Sequence, residues 1–192
     1  MNLIDRAIIR VGNIFSKYGI KIIRYADDFV LMGNLQITDA IEKLKELLAR
    51  MGLTLNEDKT KQINATESSF DFLGFMFRYD KDLHGRNQKY LNIFPSKKSE
   101  NKLKEKIRNY LDTHGKCNPT TISMDLNKIL CGSLNYSTST YTKHVRRKIR
   151  YYLSDTLSRY YKRKSQRKSR FYRQGAYEIL MQKYGLVDVN NL

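Results

Sequence analysis

Ile22-Ile23-Arg24-Tyr25-Ala26-Asp27-Asp28-Phe29-Val30-Leu31-Met32-Gly33 is the stretch whose reading decides the fold. Strand formers flank two adjacent acids, so the segment predicts a hairpin with strands near residues 21–25 and 29–32 and the carboxylates at its tight turn. Two like charges about 4–6 Å apart in a partly dry site disfavour joint ionisation unless a cation is bound. Mg²⁺ takes one or two carboxylates and completes its shell with water and substrate phosphates. Asp27 and Asp28 therefore read as metal ligands of a phosphoryl-transfer site, set against the plainer reading of an Asp-rich turn.

Upstream of the hairpin, Leu3, Ala7, Val11 and Ile14/Phe15 recur at helical spacing and stop at Gly19, predicting a helix over residues 3–18. Downstream, Thr38 is placed to cap a second helix. Its stripe is Ile41, Leu44, Leu48 and Met51, its end is Gly52, and it should cover one face of the sheet. Strand signals follow over residues 59–64 and 69–79, and a Gly85-Arg86-Asn87 turn leads to another over 90–94. From Pro95 onward the periodicity is helical. Leu103, Ile107 and Tyr110/Leu111 mark one helix, Ile122, Leu126 and Ile129/Leu130 a second, Val145, Ile149, Leu153 and Leu157 a third, and Tyr177, Leu180 and Tyr184 a last. The predicted class is α+β: an antiparallel sheet with flanking helices over residues 1–95, then a helical bundle over residues 96–192.

A chain of 192 residues, 41% of them hydrophobic, builds a real core and is no disordered tail. No apolar run approaches the ~20 residues of a membrane span, and Asp5 and Arg6 interrupt the N-terminus where a signal peptide would be apolar. The expectation is a cytoplasmic protein with no membrane partner. Cys117 and Cys131 lie 14 positions apart and read as packing residues.

The net charge of +17 is unevenly placed. Residues 1–80 hold 11 Lys/Arg against 11 Asp/Glu, whereas residues 143–173 hold 13 against 1. The thirteen are Lys143, Arg146, Arg147, Lys148, Arg150, Arg159, Lys162, Arg163, Lys164, Arg167, Lys168, Arg170 and Arg173. Tyr151, Tyr152, Tyr160, Tyr161, Phe171 and Tyr172 interleave with them. Such a block predicts a polyanion partner, with the rings either stacking on unpaired bases or packing beneath the basic side chains.

Tyr25-Ala26-Asp27-Asp28 resembles motif C of the reverse transcriptase palm. Gly52-Leu53-Thr54-Leu55-Asn56-Glu57-Asp58-Lys59-Thr60-Lys61 resembles motif D of group II intron reverse transcriptases, and Phe70-Asp71-Phe72-Leu73-Gly74-Phe75 resembles motif E, the primer grip. Leu126-Asn127-Lys128-Ile129-Leu130-Cys131-Gly132-Ser133-Leu134-Asn135-Tyr136 is similar to the maturase-specific thumb of the same family. The resemblance implies part of a polymerase palm (motifs C, D and E) followed by a helical thumb, and RNA-directed DNA synthesis by a two-metal mechanism with Mg²⁺. It implies catalytic roles for Asp27, Asp28 and Lys59, and primer contacts at Tyr25, Leu73 and Gly74. The implied partners are intron or template RNA, an RNA–DNA hybrid and, in the complete enzyme, a dNTP.

That family takes a further metal-binding Asp from motif A, well upstream of motif C. Only 24 residues precede Tyr25, and Asp5 is the sole acid among them. The expectation is a C-terminal palm-and-thumb portion, inactive alone and completed by a polypeptide that supplies the fingers and motif A. The alternative is a non-catalytic RNA-binding maturase module that assists splicing, and a third reading is a decayed remnant that binds polyanions nonspecifically. His84, His114 and His144 stand 30 residues apart and do not form the His/Cys cluster of an endonuclease.

Overall fold

Short apolar strands and amphipathic helices divide the chain into two compact units, Met1–Gln62 and Ile63–Leu192. The computed structural model describes residues 19–33, 37–81, 87–115, 117–136, 142–164, 171 and 174–192. The predicted helix over 3–18, the Gly85-Arg86 part of the predicted turn, and Arg167, Lys168, Arg170, Tyr172 and Arg173 lie outside the described residues.

In the first unit β1 (Lys21–Tyr25) pairs antiparallel with β2 (Asp28–Met32), in a register that sets Tyr25 opposite Asp28. Ala26 and Asp27 form the two-residue turn, with Ala26 at φ 53°, and Arg24 Nε donates to the Ala26 carbonyl at 2.7 Å. Turns of this length with positive φ suit the right-handed twist of the flanking strands. The helix α1 (Ile37–Arg50) buries Ala40, Leu44 and Leu48, one residue per turn on one side. Ile20, Ala40, Leu31 and Leu47 pack together, so the helix covers one face of the hairpin as expected. Thr38, expected to cap this helix, is instead its second residue. Gly52 (φ 71°) does end it, with Leu53 N donating back to the Leu48 carbonyl at 2.9 Å.

The predicted strand over 59–64 does not form. Asn56 and Asn64 offer their neighbours better local partners: Thr60 Oγ1 donates to the Asn56 carbonyl at 2.8 Å, and Thr66 Oγ1 to Asn64 Oδ1 at 2.8 Å. Side chains that bond their own backbone compete with a sheet ladder, and here they win.

In the second unit the predicted strand over 69–79 splits in two. β3 (Phe70–Phe72) and β4 (Phe75–Lys81) join at Leu73-Gly74, and β5 (Lys89–Pro95) completes an antiparallel sheet in the order β3-β4-β5. The Phe70 and Phe77 rings stack across the ladder at 5.1 Å. Ser96 then caps α2 (Lys97–Thr113), its hydroxyl accepting from Ser99 N at 3.2 Å. Asn118 accepts from Thr121 N at 2.8 Å and Pro119 opens α3 (Pro119–Tyr136). α4 (Thr142–Lys164), α5 (Ala176–Tyr184) and a final 3₁₀ turn (Val189–Asn191) follow.

One core joins these helices through the residues that the periodicity marks: Leu103, Ile107 and Leu111, then Ile122, Leu126 and Leu130, then Val145, Ile149, Leu153 and Leu157, then Tyr177 and Leu180. Asn127 fastens the C-terminal segment to this bundle. Its Nδ2 donates to the Gly185 carbonyl at 2.8 Å and its Oδ1 accepts from Val187 N at 2.9 Å. The chain is thus α+β, with small antiparallel sheets followed by a helical region. No described helix is long and apolar enough to cross a membrane.

Candidate active site and nucleic-acid interface

The hairpin turn separates the two acids by role. Asp27 stands at its apex, while Asp28 is the first residue of β2 and faces Tyr25 across the ladder. Ile22, Arg24, Phe29 and Leu31 are half-buried, and the Arg24 guanidinium lies 5.8 Å from the centre of the Phe29 ring. Ile23 and Tyr25 alternate with these residues along β1 and are exposed. Both carboxylates are exposed as well. The partly dry setting expected for them is not built by the described residues. Neighbouring hard oxygen donors that water can reach still suit Mg²⁺, which binds through one or two carboxylates. Among the described residues no three His, Cys, Asp or Glu side chains group as a complete metal site.

Lys59 is exposed and closes a turn, its backbone N–H donating to Asn56 Oδ1 at 3.2 Å. The same loop is tied to α1 by Lys45 and Glu57 at 2.6 Å. The Lys45 ammonium, by hydrogen bond and charge, holds the Glu57 carboxyl below its ordinary pKa.

Leu73 and Gly74 both have positive φ, 50° and 81°. A left-handed Leu is uncommon and costs energy that surrounding contacts must offset. Those contacts come from the helices. The Gly74 carbonyl accepts from Ser96 N at 2.8 Å and Ser99 Oγ at 2.9 Å, and the Leu73 carbonyl accepts from Tyr136 Oη at 3.1 Å. A Cβ on Gly74 would stand 2.9 Å from Ser99 Oγ. The small residue at 74 is therefore required by the turn and by Ser99. A groove of about 250 Å³ opens beside it, lined in part by Gly74, Phe75, Lys102, Lys106 and Tyr136. Sequence reading does not find Ser96, Ser99 or Tyr136 as partners of this turn; the nearest signal is Tyr136 at the end of the quoted thumb segment.

Nine cations of the basic block lie on described residues. Lys143, Arg147, Lys148, Arg159, Lys162, Arg163 and Lys164 are exposed on α4, while Arg146 and Arg150 are half-buried. Several of them make contacts within the protein. Arg146 Nη1 donates to the Asn190 carbonyl at 3.3 Å, and Arg150 lies 4.0 Å from the Glu178 carboxylate and over the Tyr177 ring. Arg159 is bound to Asp155 at 2.8 Å, and Lys164 Nζ donates to the Cys117 carbonyl at 2.8 Å.

Of the two roles expected for the interleaved rings, packing beneath basic side chains is the common one. Tyr160 and Tyr161 are buried, Phe171 stacks on Tyr161 at 4.3 Å, and burial raises the Tyr161 pKa. Among the described rings of the block only Tyr151, 71% exposed, stands clear. Exposed cations on α2, including Lys102, Lys106 and Arg108, extend the basic surface beyond the block.

Residues 2–77 match the family described as reverse transcriptase (RNA-dependent DNA polymerase). Residues 100–177 match the group II intron, maturase-specific domain. The first span contains the acid hairpin, Lys59 and the Leu73-Gly74 turn; the second contains α3, α4 and most of α2. No curated protein matches the chain.

Proposed function

We propose that this chain, which its two domain matches place with the group II intron reverse transcriptases/maturases, supplies the catalytic hairpin and the thumb for RNA-directed DNA synthesis. The observation that carries this reading is the order of the two family matches, with Asp27 and Asp28 at a hairpin turn inside the first. In it, residues 1–95 are palm and residues 96–192 thumb, and Asp27 and Asp28 hold Mg²⁺. The bound metal would supply Lewis-acid stabilisation for nucleotidyl transfer from a dNTP to a primer 3′-hydroxyl.

The protein side of the site follows from its own residues. Lys59 offers an ammonium to the pyrophosphate leaving group. Tyr25 in the first unit and the pinned Leu73-Gly74 turn in the second each offer a primer contact, and the exposed cations of α4 hold intron or template RNA and the RNA–DNA hybrid. A further carboxylate and the fingers come from another segment or polypeptide. The test is metal-dependent primer extension by the reconstituted enzyme, compared between the native chain and Asp27→Ala; an unchanged rate overturns the assignment.

A second reading, a splicing-assisting RNA-binding module without catalysis, is favoured by the exposure of both carboxylates and by the closed core of the helical unit. It requires salt-sensitive RNA binding that Asp27→Ala leaves intact and that Arg147→Glu with Lys148→Glu weakens.

A further inference from the structure

α2 and α4 run side by side, and two tyrosines of α4 fix the seam. Tyr152 Oη donates to the Lys104 carbonyl and Tyr160 Oη to the His114 carbonyl, each at 3.0 Å. The two rungs are eight residues apart on α4, about 12 Å along the helix. A cleft of about 210 Å³ opens at this seam. Arg108 and Asp112 of α2 and Asp155, Arg159 and Arg163 of α4 line it. The Asp155 carboxylate accepts two bonds from Arg159, from Nη2 at 2.8 Å and from Nε at 3.1 Å, an exposed pair that orients this guanidinium at the cleft. Asp112 makes no ion pair among the described residues.

We propose that this cleft is a binding site for the sugar-phosphate backbone of RNA, with Arg108, Arg159 and Arg163 contacting phosphates and Asp112 accepting a hydrogen bond from a ribose 2′-hydroxyl. Three guanidiniums contributed by two helices suit a phosphodiester chain that crosses the seam. Of the two carboxylates in the cleft, Asp112 makes no ion pair among the described residues; it opposes phosphate and gains from a donor such as the ribose 2′-hydroxyl, the group that distinguishes RNA from DNA. The site brings α2 into an interface that the charge block confines to residues 143–173. It deepens the RNA-binding part of the proposed function and rests on it.

The experiment measures binding of the full chain to a structured RNA hairpin and to its DNA counterpart over a salt series. Arg108→Ala and Arg163→Ala are each expected to weaken RNA binding about fivefold and to lower the magnitude of the salt slope by about one. Asp112→Ala is expected to bring the RNA and DNA affinities together. Full RNA affinity in both arginine variants overturns the cleft, and an unchanged RNA-to-DNA ratio in Asp112→Ala overturns the ribose contact. The control is Arg147→Glu with Lys148→Glu, outside the cleft. If it loses RNA affinity while Arg108→Ala and Arg163→Ala do not, the cleft fails and the broader RNA reading stands. If it also keeps full affinity, the broader reading fails as well. Helical circular dichroism of each variant confirms that the bundle is folded.

Discussion

The Tyr136 hydroxyl donates to the Leu73 carbonyl at 3.1 Å, joining the end of α3 to a hairpin turn 63 residues earlier. The Tyr136 ring also lies 5.6 Å from that of Phe75. Tyr136→Phe keeps the ring contact and removes the bond, so a loss of about 0.5–1 kcal/mol is expected in urea unfolding. Tyr136→Ala removes both and should cost more. Equal stability of the two variants would mean that the hydroxyl alone sets the contact.

Gly74→Ala meets two obstacles, a φ of 81° and a clash at 2.9 Å with Ser99 Oγ. The expected cost is about 1–3 kcal/mol. Ser99→Ala removes the clash and leaves the backbone strain, so the double variant should be more stable than the sum of the single losses allows. Strict additivity in the unfolding cycle would show that only the backbone conformation demands glycine.

Asn127 makes both of its bonds to the backbone of the C-terminal segment. Asn127→Ala leaves the half-buried Val187 N–H without that acceptor, and a loss of about 1–3 kcal/mol is expected. Amide exchange at Val187 should accelerate before that of the buried core of α4. Unchanged protection at Val187 would show that Tyr177, which accepts from Val189 N at 3.1 Å, suffices to hold the segment.

Burial raises the pKa of Tyr110, Tyr161 and Tyr177 above the ordinary tyrosine value of 10.0, and at Tyr110 the Asp125 carboxylate adds to the effect. A folded-state pKa above the unfolded one gives stability that is fully present below pH 10 and lost as pH rises further. The bundle is therefore expected to unfold in alkali. Part of the tyrosinate absorbance should appear only together with the loss of helical circular dichroism, and complete titration of all tyrosines before that loss would contradict the burial.

The sequence legible in this fold is the part that local pattern determines. Leu103, Ile107, Ile122, Leu126, Leu153 and Leu157 are fully or nearly fully buried because a helix carries a 3.6-residue stripe inward regardless of its neighbours. The acid hairpin is legible for a similar reason, since two strand-forming runs leave only a tight turn between them. Leu73 misleads because its side chain reads as strand while its backbone turns left-handed, and the bonds that hold the turn come from far along the chain, from Tyr136 to the Leu73 carbonyl and from Ser96 and Ser99 to that of Gly74. Residues 59–64 mislead because asparagine side chains outcompete the ladder. The basic block conceals which cations are already taken: Arg146, Arg150 and Lys164 have partners on segments that no spacing rule connects to them.

Primer extension by the enzyme reconstituted with its fingers and further palm carboxylate, with Mg²⁺ and an RNA template, is the most direct measurement of the role given to Asp27. Asp27→Ala is expected to lower the rate by at least about a hundredfold while salt-dependent RNA binding and helical content stay as in the native chain. Full extension by Asp27→Ala would contradict the assignment of the hairpin as a metal-binding catalytic element.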